Sequence, residues 1–161
     1  MIAIVAVDKN WAIGNKGELL IHIPEDMKFF KNKTYGNIII VGRKTIEGFP
    51  GGKPLPGRKN IVLTRNTEYR RDDCIVCHSK DEVLDMLKDM EHEVFVCGGA
   101  SIYEQFMDCC DTFYVTKLDR AFEADRYFAN LDNSKDILCS SVSDEKKYGD
   151  TGYCFAEYKR R

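Results

Sequence analysis

The apolar positions of this chain fall into short unbroken runs, separated by stretches with helical spacing. Ile2–Val7 is apolar throughout and stops at Asp8-Lys9, which reads as a buried strand. Asn37-Ile38-Ile39-Ile40-Val41 is a continuous β-branched run, the pattern of a strand covered on both faces. Residues 60–63, 74–77, 93–97 and 112–117 give further strands. Between them, Pro24 opens a helix over 24–33, and Gly42-Arg43-Lys44-Thr45 turns into a short helix ending near Gly48. Val83, Leu84 and Leu87 mark the apolar stripe of a surface helix over 80–90. Gly98-Gly99 passes into another helix through Met107. The Gly- and Pro-rich stretch 49–59 is loop, and 137–143 with 153–159 forms a terminal hairpin around Gly149-Asp150-Thr151-Gly152. Strands alternating with helices predict an α/β domain with a mostly parallel sheet and right-handed crossovers.

At 161 residues and 43% apolar content, the chain is expected to form a single domain, 1–161, with a sizeable core. A net charge of −2 gives no field to recruit nucleic acid or an anionic membrane. The first apolar run is too short for a membrane span or a signal-peptide core, so a cytoplasmic protein is expected. Seven cysteines are scattered, and Cys74-Ile75-Val76-Cys77 has no second pair at zinc-site spacing. Reduced thiols and no metal site are expected. The terminal Lys159-Arg160-Arg161 reads as a solvated tail.

Ligands of parallel sheets bind at the carboxyl ends of the strands. In the stretch from Gly14 to Lys31, a Gly-punctuated loop leads into the first helix. There Asp26, Met27 and Phe30 share neighbouring ridges of one face. A carboxylate beside two large apolar groups suits a flat heterocycle bearing an amidine. Glu25, in the same first turn, is read as a partner of the helix dipole and nothing more. Two strand-to-helix turns, Val41-Gly42-Arg43-Lys44-Thr45 and Cys97-Gly98-Gly99-Ala100-Ser101, look like anion cradles. The second lacks the G-x-G-x-x-G spacing, which argues against a Rossmann domain. Thr64-Arg65, if near Arg43, would suit a phosphomonoester such as the 2′-phosphate of NADP.

Taken in order, these motifs resemble the dihydrofolate reductase family. The resemblance runs through Ala6 to Gly14, Pro24-Glu25-Asp26, Gly42-Arg43-Lys44-Thr45, Pro54-Leu55-Pro56-Gly57-Arg58-Lys59-Asn60, Gly98-Gly99 with Ile102-Tyr103, and Thr116, over nearly the whole chain. It implies a central eight-stranded, mostly parallel sheet with an antiparallel C-terminal strand and helices on both faces. It also implies NADPH-dependent reduction of 7,8-dihydrofolate to tetrahydrofolate, sensitivity to antifolates, and a monomer. Asp26 would be the pocket carboxylate on pterin N3 and the 2-amino group, supported by Thr116. Ile4, Val5, Cys97 and Tyr103 would line the pocket; Met27, Phe30, Phe49 and Leu55 would wall the pterin and benzoyl rings. Arg58 would meet the α-carboxylate of the glutamate tail. Ala6, Ile13, Gly14 and Leu19 would border the nicotinamide, with Leu19 next to the reacting atoms. The pyrophosphate would fall to Gly42, Lys44, Thr45 and the run Gly98, Gly99, Ala100, Ser101, Ile102, Tyr103. Arg43, Leu63, Thr64 and Arg65 would surround the 2′-phosphate, with His78 near the adenosine, and the Gly98–Gly99 bond is expected to be cis.

Three departures stand out. Leu20-Ile21 replaces the family's Pro-Trp, leaving Trp11 as the only tryptophan. The stretch Phe49-Pro50-Gly51-Gly52-Lys53 is longer than usual, and Ala129 stands for a common proline. The alternatives are another NADPH reductase of the same fold, such as the pyrimidine reductase of riboflavin synthesis, or a non-catalytic pterin- or nucleotide-binding module.

Overall fold

The structure, a computed structural model, describes residues 1–161. In chain order it has β1 (Ile2–Val7), β2 (Ala12–Asn15), β3 (Glu18–Leu19), α1 (Pro24–Thr34), β4 (Ile38–Gly42) and α2 (Arg43–Glu47). Next come β5 (Lys59–Leu63), β6 (Ile75–Cys77), α3 (Lys80–Leu87), β7 (Val94–Val96) and α4 (Ala100–Phe106). The chain ends with β8 (Thr112–Leu118), β9 (Arg126–Tyr127), β10 (Ile137–Val142), β11 (Lys146–Tyr148) and β12 (Thr151–Arg160).

The uninterrupted apolar runs take the middle of the main sheet, whose order is β10-β12-β8-β1-β7-β4-β5-β6. From β8 to β6 every pairing is parallel, whereas β12 runs antiparallel to β8 and β10. The eight-strand path expected from the sequence is present, and β11 adds a ninth short strand on β12. Side chains alternate across β4. Ile38 and Ile40 join one apolar cluster with Val83, Ile102 and Phe106 from α3 and α4. Ile39 and Val41 join the other, against Phe29, Phe30 and Ile46 from α1 and α2. Helices therefore cover both faces, and that is why the run 38–41 could dispense with polar residues.

Two expectations change. Lys159-Arg160-Arg161 is not simply a solvated tail, because β12 extends through Arg160. The Arg160 guanidinium donates to the carbonyls of Cys110 (2.9 Å) and Met107 (2.8 Å). The loop before α1 contains structure too: β3, β2 and β9 form a second, three-stranded sheet. Its strands are only two to four residues long, too short to show periodicity in sequence. All seven cysteines are free thiols, no cluster of three His, Cys, Asp or Glu side chains is placed to hold a metal ion, and no helix is long and apolar enough to cross a membrane.

Asp8, which ends the first apolar run, is the polar knot under this second sheet. It is 3% exposed, and its carboxylate accepts from the backbone N–H of Asn10 (2.8 Å), Ala12 (2.9 Å) and Phe122 (2.9 Å). Asp8→Ala would leave these donors unanswered and is expected to cost about 2–4 kcal/mol, measured by urea denaturation; an unchanged midpoint would remove the knot role.

Candidate active site

Helix α1 begins without a side-chain cap: Ile23 is extended and Pro24 occupies the first turn. This start sets Glu25 and Asp26 in that turn, where acids complement the free N–H groups. Asp26 faces β8, and the Thr116 hydroxyl donates to Asp26 Oδ1 at 2.6 Å. Burial pushes the Asp26 carboxyl above the ordinary carboxylate range, and the bond from Thr116 opposes part of that rise. Thr116 itself is fixed by the register of the sheet, in which it lies opposite Ala6 of β1.

Along the same helix, Phe30 packs against the second apolar cluster, whereas Met27 stands 54% exposed at the rim. Phe29, which the sequence reading passed over, makes the tighter contacts, stacking on Phe155 (4.4 Å) and edge-on to Tyr114 (6.2 Å). The reading of Glu25 as a dipole partner alone is also corrected. Tyr153 donates to Glu25 Oε2 at 2.6 Å, and Lys146 approaches Oε1 at 3.8 Å, so α1 is tied to the C-terminal strands. Burial, and then the bond to Glu25, push the Tyr153 hydroxyl up to about 12.

Ile4, Val5 and Ala6 bring β1 to this region, and the Ile4 carbonyl accepts from the buried Tyr103 hydroxyl (2.7 Å). The Tyr103 ring meets Phe128 edge-on at 5.0 Å. Phe49, Leu55 and Cys97 pack with Phe30 on the second cluster, as a common wall. Arg58 is folded back on its own loop, donating to the Pro56 carbonyl (3.0 and 2.8 Å) and reaching Thr34 Oγ1 at 3.4 Å. Asn60, named in the sequence only as the end of that motif and given no role, holds that loop. It accepts from Leu55 N–H (3.0 Å) and donates to the carbonyls of Leu55 (3.0 Å) and Arg58 (2.9 Å). The stretch Phe49–Lys53 contains a 3-10 turn in which Gly51 and Gly52 have φ of 68° and 65°. Arg71 donates to the Gly52 carbonyl at 2.7 Å and ties the turn down.

The two cradles predicted separately are one place. Gly42 N–H donates to the Gly98 carbonyl at 2.8 Å, joining the ends of β4 and β7. The Gly98–Gly99 bond is cis, and Gly98 has φ of 109°. A Cβ there would lie 3.1 Å from the Tyr103 ring, and one at Gly42 would lie 3.3 Å from Ile102. Side chains are thus excluded where a backbone must be approached closely. Thr45 Oγ1 lies 3.8 Å from where a Gly99 Cβ would stand, so Thr45 and the Gly98-Gly99 turn flank the same space. Lys44, beside it, is the second residue of α2.

Beyond this junction lies a cavity of about 470 Å³ lined by Leu63, Thr64, Arg65, His78, Ser79, Lys80, Ser101, Ile102 and Gln105. His78 Nδ1 is 3.0 Å from the Thr64 carbonyl, which fixes its ring. Arg43 does not line this cavity; it pairs with Glu47 of its own helix at 3.0 Å. The missed cation is Lys80, paired with Asp108 at 2.8 Å. Its placement at the start of α3, just past the end of β6, was the available signal.

On the loop side, Ile13 is buried, Gly14 pairs with Leu19 and Arg126, and Leu19 is 61% exposed. Ile21 packs near Ile23, Leu118 and Tyr153, and His22 is exposed. Trp11 does not replace the absent indole; it is buried against Phe128 and Tyr158.

This geometry has close relatives. The family model described as Dihydrofolate reductase matches residues 1–160. A Bacillus subtilis (strain 168) protein named dihydrofolate reductase is 41% identical over 161 residues, with 98% of this chain and 93% of the relative covered. A Staphylococcus haemolyticus protein of the same name is 37% identical over 160 residues, with 98% and 93% covered. A solved structure of dihydrofolate reductase from Enterococcus faecalis, complexed with NADP(H) and RAB-propyl, superposes with a TM-score of 0.88 at 32% identity, covering 99% of this chain and 95% of its own. Matched along its length in both sequence and fold, the chain belongs to the dihydrofolate reductase family.

Proposed function

We propose that this protein, as a single domain and a monomer in the cytoplasm, reduces 7,8-dihydrofolate to 5,6,7,8-tetrahydrofolate with NADPH and binds antifolates, with no nucleic-acid or membrane partner. The observation that carries the reading is the Thr116–Asp26 hydrogen bond on a helix whose Phe30 packs on the same apolar cluster as Phe49 and Leu55. It stands beside a glycine junction and a cavity lined by Arg65 and Lys80. Those features fit the dinucleotide: bare backbone at Gly42 and Gly98 for a pyrophosphate, cations for a 2′-phosphate. When bound, NADPH supplies the hydride that goes to pterin C6.

The chain's own residues then bind, orient and exclude water. Asp26 accepts from the pterin N3 and 2-amino edge, with Thr116 fixing the carboxylate's orientation. Met27, Phe30, Phe49 and Leu55 shed water from around the rings, which strengthens that polar contact. Ile4, Val5, Cys97 and Tyr103 line the pocket floor. Arg58, turned toward its own loop in the structure, swings out to meet the glutamate carboxylate. Ala6, Ile13, Gly14 and Leu19 would border the nicotinamide and orient it for hydride transfer. Lys44, Thr45, Ser101 and the backbone from Gly98 to Tyr103 hold the pyrophosphate. Thr64, Arg65, His78 and Lys80 surround the adenosine phosphate, and Arg43 joins them when it leaves Glu47. Without an indole at position 21, the proton for N5 arrives through water, with Asp26 as electrostatic tuner.

Mixing the protein with NADPH and dihydrofolate tests the reading directly: the near-ultraviolet absorbance of NADPH is expected to fall, and a steady signal would refute it. Asp26→Asn should lower kcat/KM at neutral pH by about 10²-fold or more while NADPH still binds. The same substitution removes a carboxylate whose folded pKa is raised. The stability tied to such a group is present below the ordinary Asp range and lost as pH rises through the folded value. The variant is therefore expected to melt above the parent at neutral pH, with the gap closing in acid; a gap that widens in acid would contradict the burial argument. Thr116→Val, by removing the bond that opposes the rise, should move the acid limb of the kcat/KM profile to higher pH and lower its plateau about ten-fold. An unmoved limb would disconnect Thr116 from Asp26. Arg65→Ala is expected to weaken NADPH roughly 10- to 100-fold and NADH little, read by fluorescence titration; equal losses would remove the 2′-phosphate role.

A further inference from the structure

A polar cluster that the hydride transfer does not use lies behind the loop carrying Ile13, Gly14 and Leu19. Successive residues of a strand point to opposite faces, so on β8 Thr116 faces Asp26 while Lys117 faces the other way. The Lys117 ammonium donates to Asp132 Oδ2 (3.1 Å) and to the Tyr158 hydroxyl (3.0 Å), and that hydroxyl donates to Asp132 Oδ1 (2.7 Å). The same ammonium lies 5.4 Å from the centroid of the Trp11 ring. Trp11 is closed in further by Tyr158, edge-on at 6.0 Å, and by Phe128, stacked at 6.4 Å. Its backbone is left-handed, with φ of 61°, a conformation that a bulky residue keeps only when its surroundings enforce it. Trp11 N–H donates to the Asp8 carbonyl (3.0 Å), and its carbonyl accepts from Phe128 N–H (2.8 Å). Strand β2, which carries Ile13 and Gly14, starts at the next residue.

We infer that Lys117 is a positioning residue for the reaction: by holding the Trp11 indole it fixes the left-handed turn from which β2 and the loop to Leu19 depart. The inference rests on the reading that Ile13, Gly14 and Leu19 border the nicotinamide. A cation is needed there, not merely a long side chain, because it answers the Asp132 carboxylate and the indole face at once. Burial works against its charge, but the bonds to Tyr158 and Asp132 prevail and keep the group above the usual lysine range. Strand β8 thus carries the pterin anchor on one face and the loop anchor on the other. A fault at Lys117 displaces the cofactor side and leaves the pterin side alone.

Trp11 is the only tryptophan, so its emission reports on this cluster in the full-length protein. Lys117→Met, close in length and without charge, is expected to change that emission in the protein alone. It should also raise the KM for NADPH and lower kcat by roughly three- to thirty-fold, with the KM for dihydrofolate kept within about two-fold. Lys117→Arg, which retains the cation, is expected to recover most of kcat. Altered emission with parental kcat and parental KM for NADPH would reduce the cluster to packing and overturn the inference. Should Lys117→Met fail to fold, Asp132→Asn takes its place. It loosens the ammonium without removing it and should move the same two parameters in the same direction; parental values there would also overturn the inference. If the unaltered protein leaves NADPH unoxidised by dihydrofolate, it is the functional reading that fails. Titrating Trp11 emission with NADPH then decides the positioning role separately: weaker binding in Lys117→Met supports it, and equal binding overturns it.

Discussion

A carboxylate taken part-way out of water raises the free energy of the fold unless something answers its charge. At Asp26 the protein supplies one answering group, the Thr116 hydroxyl, and offers the remaining valence to whatever enters the pocket. The arrangement costs stability, and on the proposed function binding would return it, because a donor-rich ring edge would meet an acceptor already stripped of much of its water. Much of the surrounding structure keeps that single contact in register. Pro24 sets the first turn of α1, the β1–β8 ladder sets the height of Thr116, and the Tyr153–Glu25 bond stops the helix from sliding away from the sheet. The raised pKa of Asp26 is the electrostatic trace of that construction.

The opposite side of the site works by subtraction. Where β4 and β7 end, two glycines leave no room for side chains, and a backbone bond between them fixes the gap. Further out, the positive charge is local: Arg65 and Lys80 line one cavity in a chain whose net charge is −2. A cluster of this kind attracts a phosphate over a few ångströms and is invisible at longer range, since salt screens separated charges. On the proposed function, a cluster of this size would serve a small ligand bearing a terminal phosphate.

The sequence was most legible where the physics is local and periodic. The β-branched run at 38–41 could hardly be anything but a doubly covered strand, and Pro24 marked the start of α1 to the residue. The Asp26–Thr116 pair was legible only through the family resemblance, since 90 residues separate the partners. Contacts decided by tertiary placement were misread or missed. Arg43, read as a phosphate ligand, pairs with Glu47 one helical turn away. Glu25 acquired a tyrosine from a strand more than a hundred residues on, and Arg160 found carbonyls at the end of α4. Asn60 and Asp8, both buried and both bonding only to backbone, had no pattern to announce them; a polar residue at the boundary of an apolar run was the sole clue.

Asn60 nonetheless shapes how the pocket discriminates. Its amide closes a small ring of hydrogen bonds around residues 55–58, so Leu55 and the base of Arg58 are held in place. Met27, across the opening, is an unbranched thioether left half in solvent. One bank of the cleft is therefore stiff and the other compliant. On the proposed function, molecules that differ at the end meeting residue 55 would be sorted by shape, whereas bulk added toward residue 27 would be accommodated by rotation of a side chain.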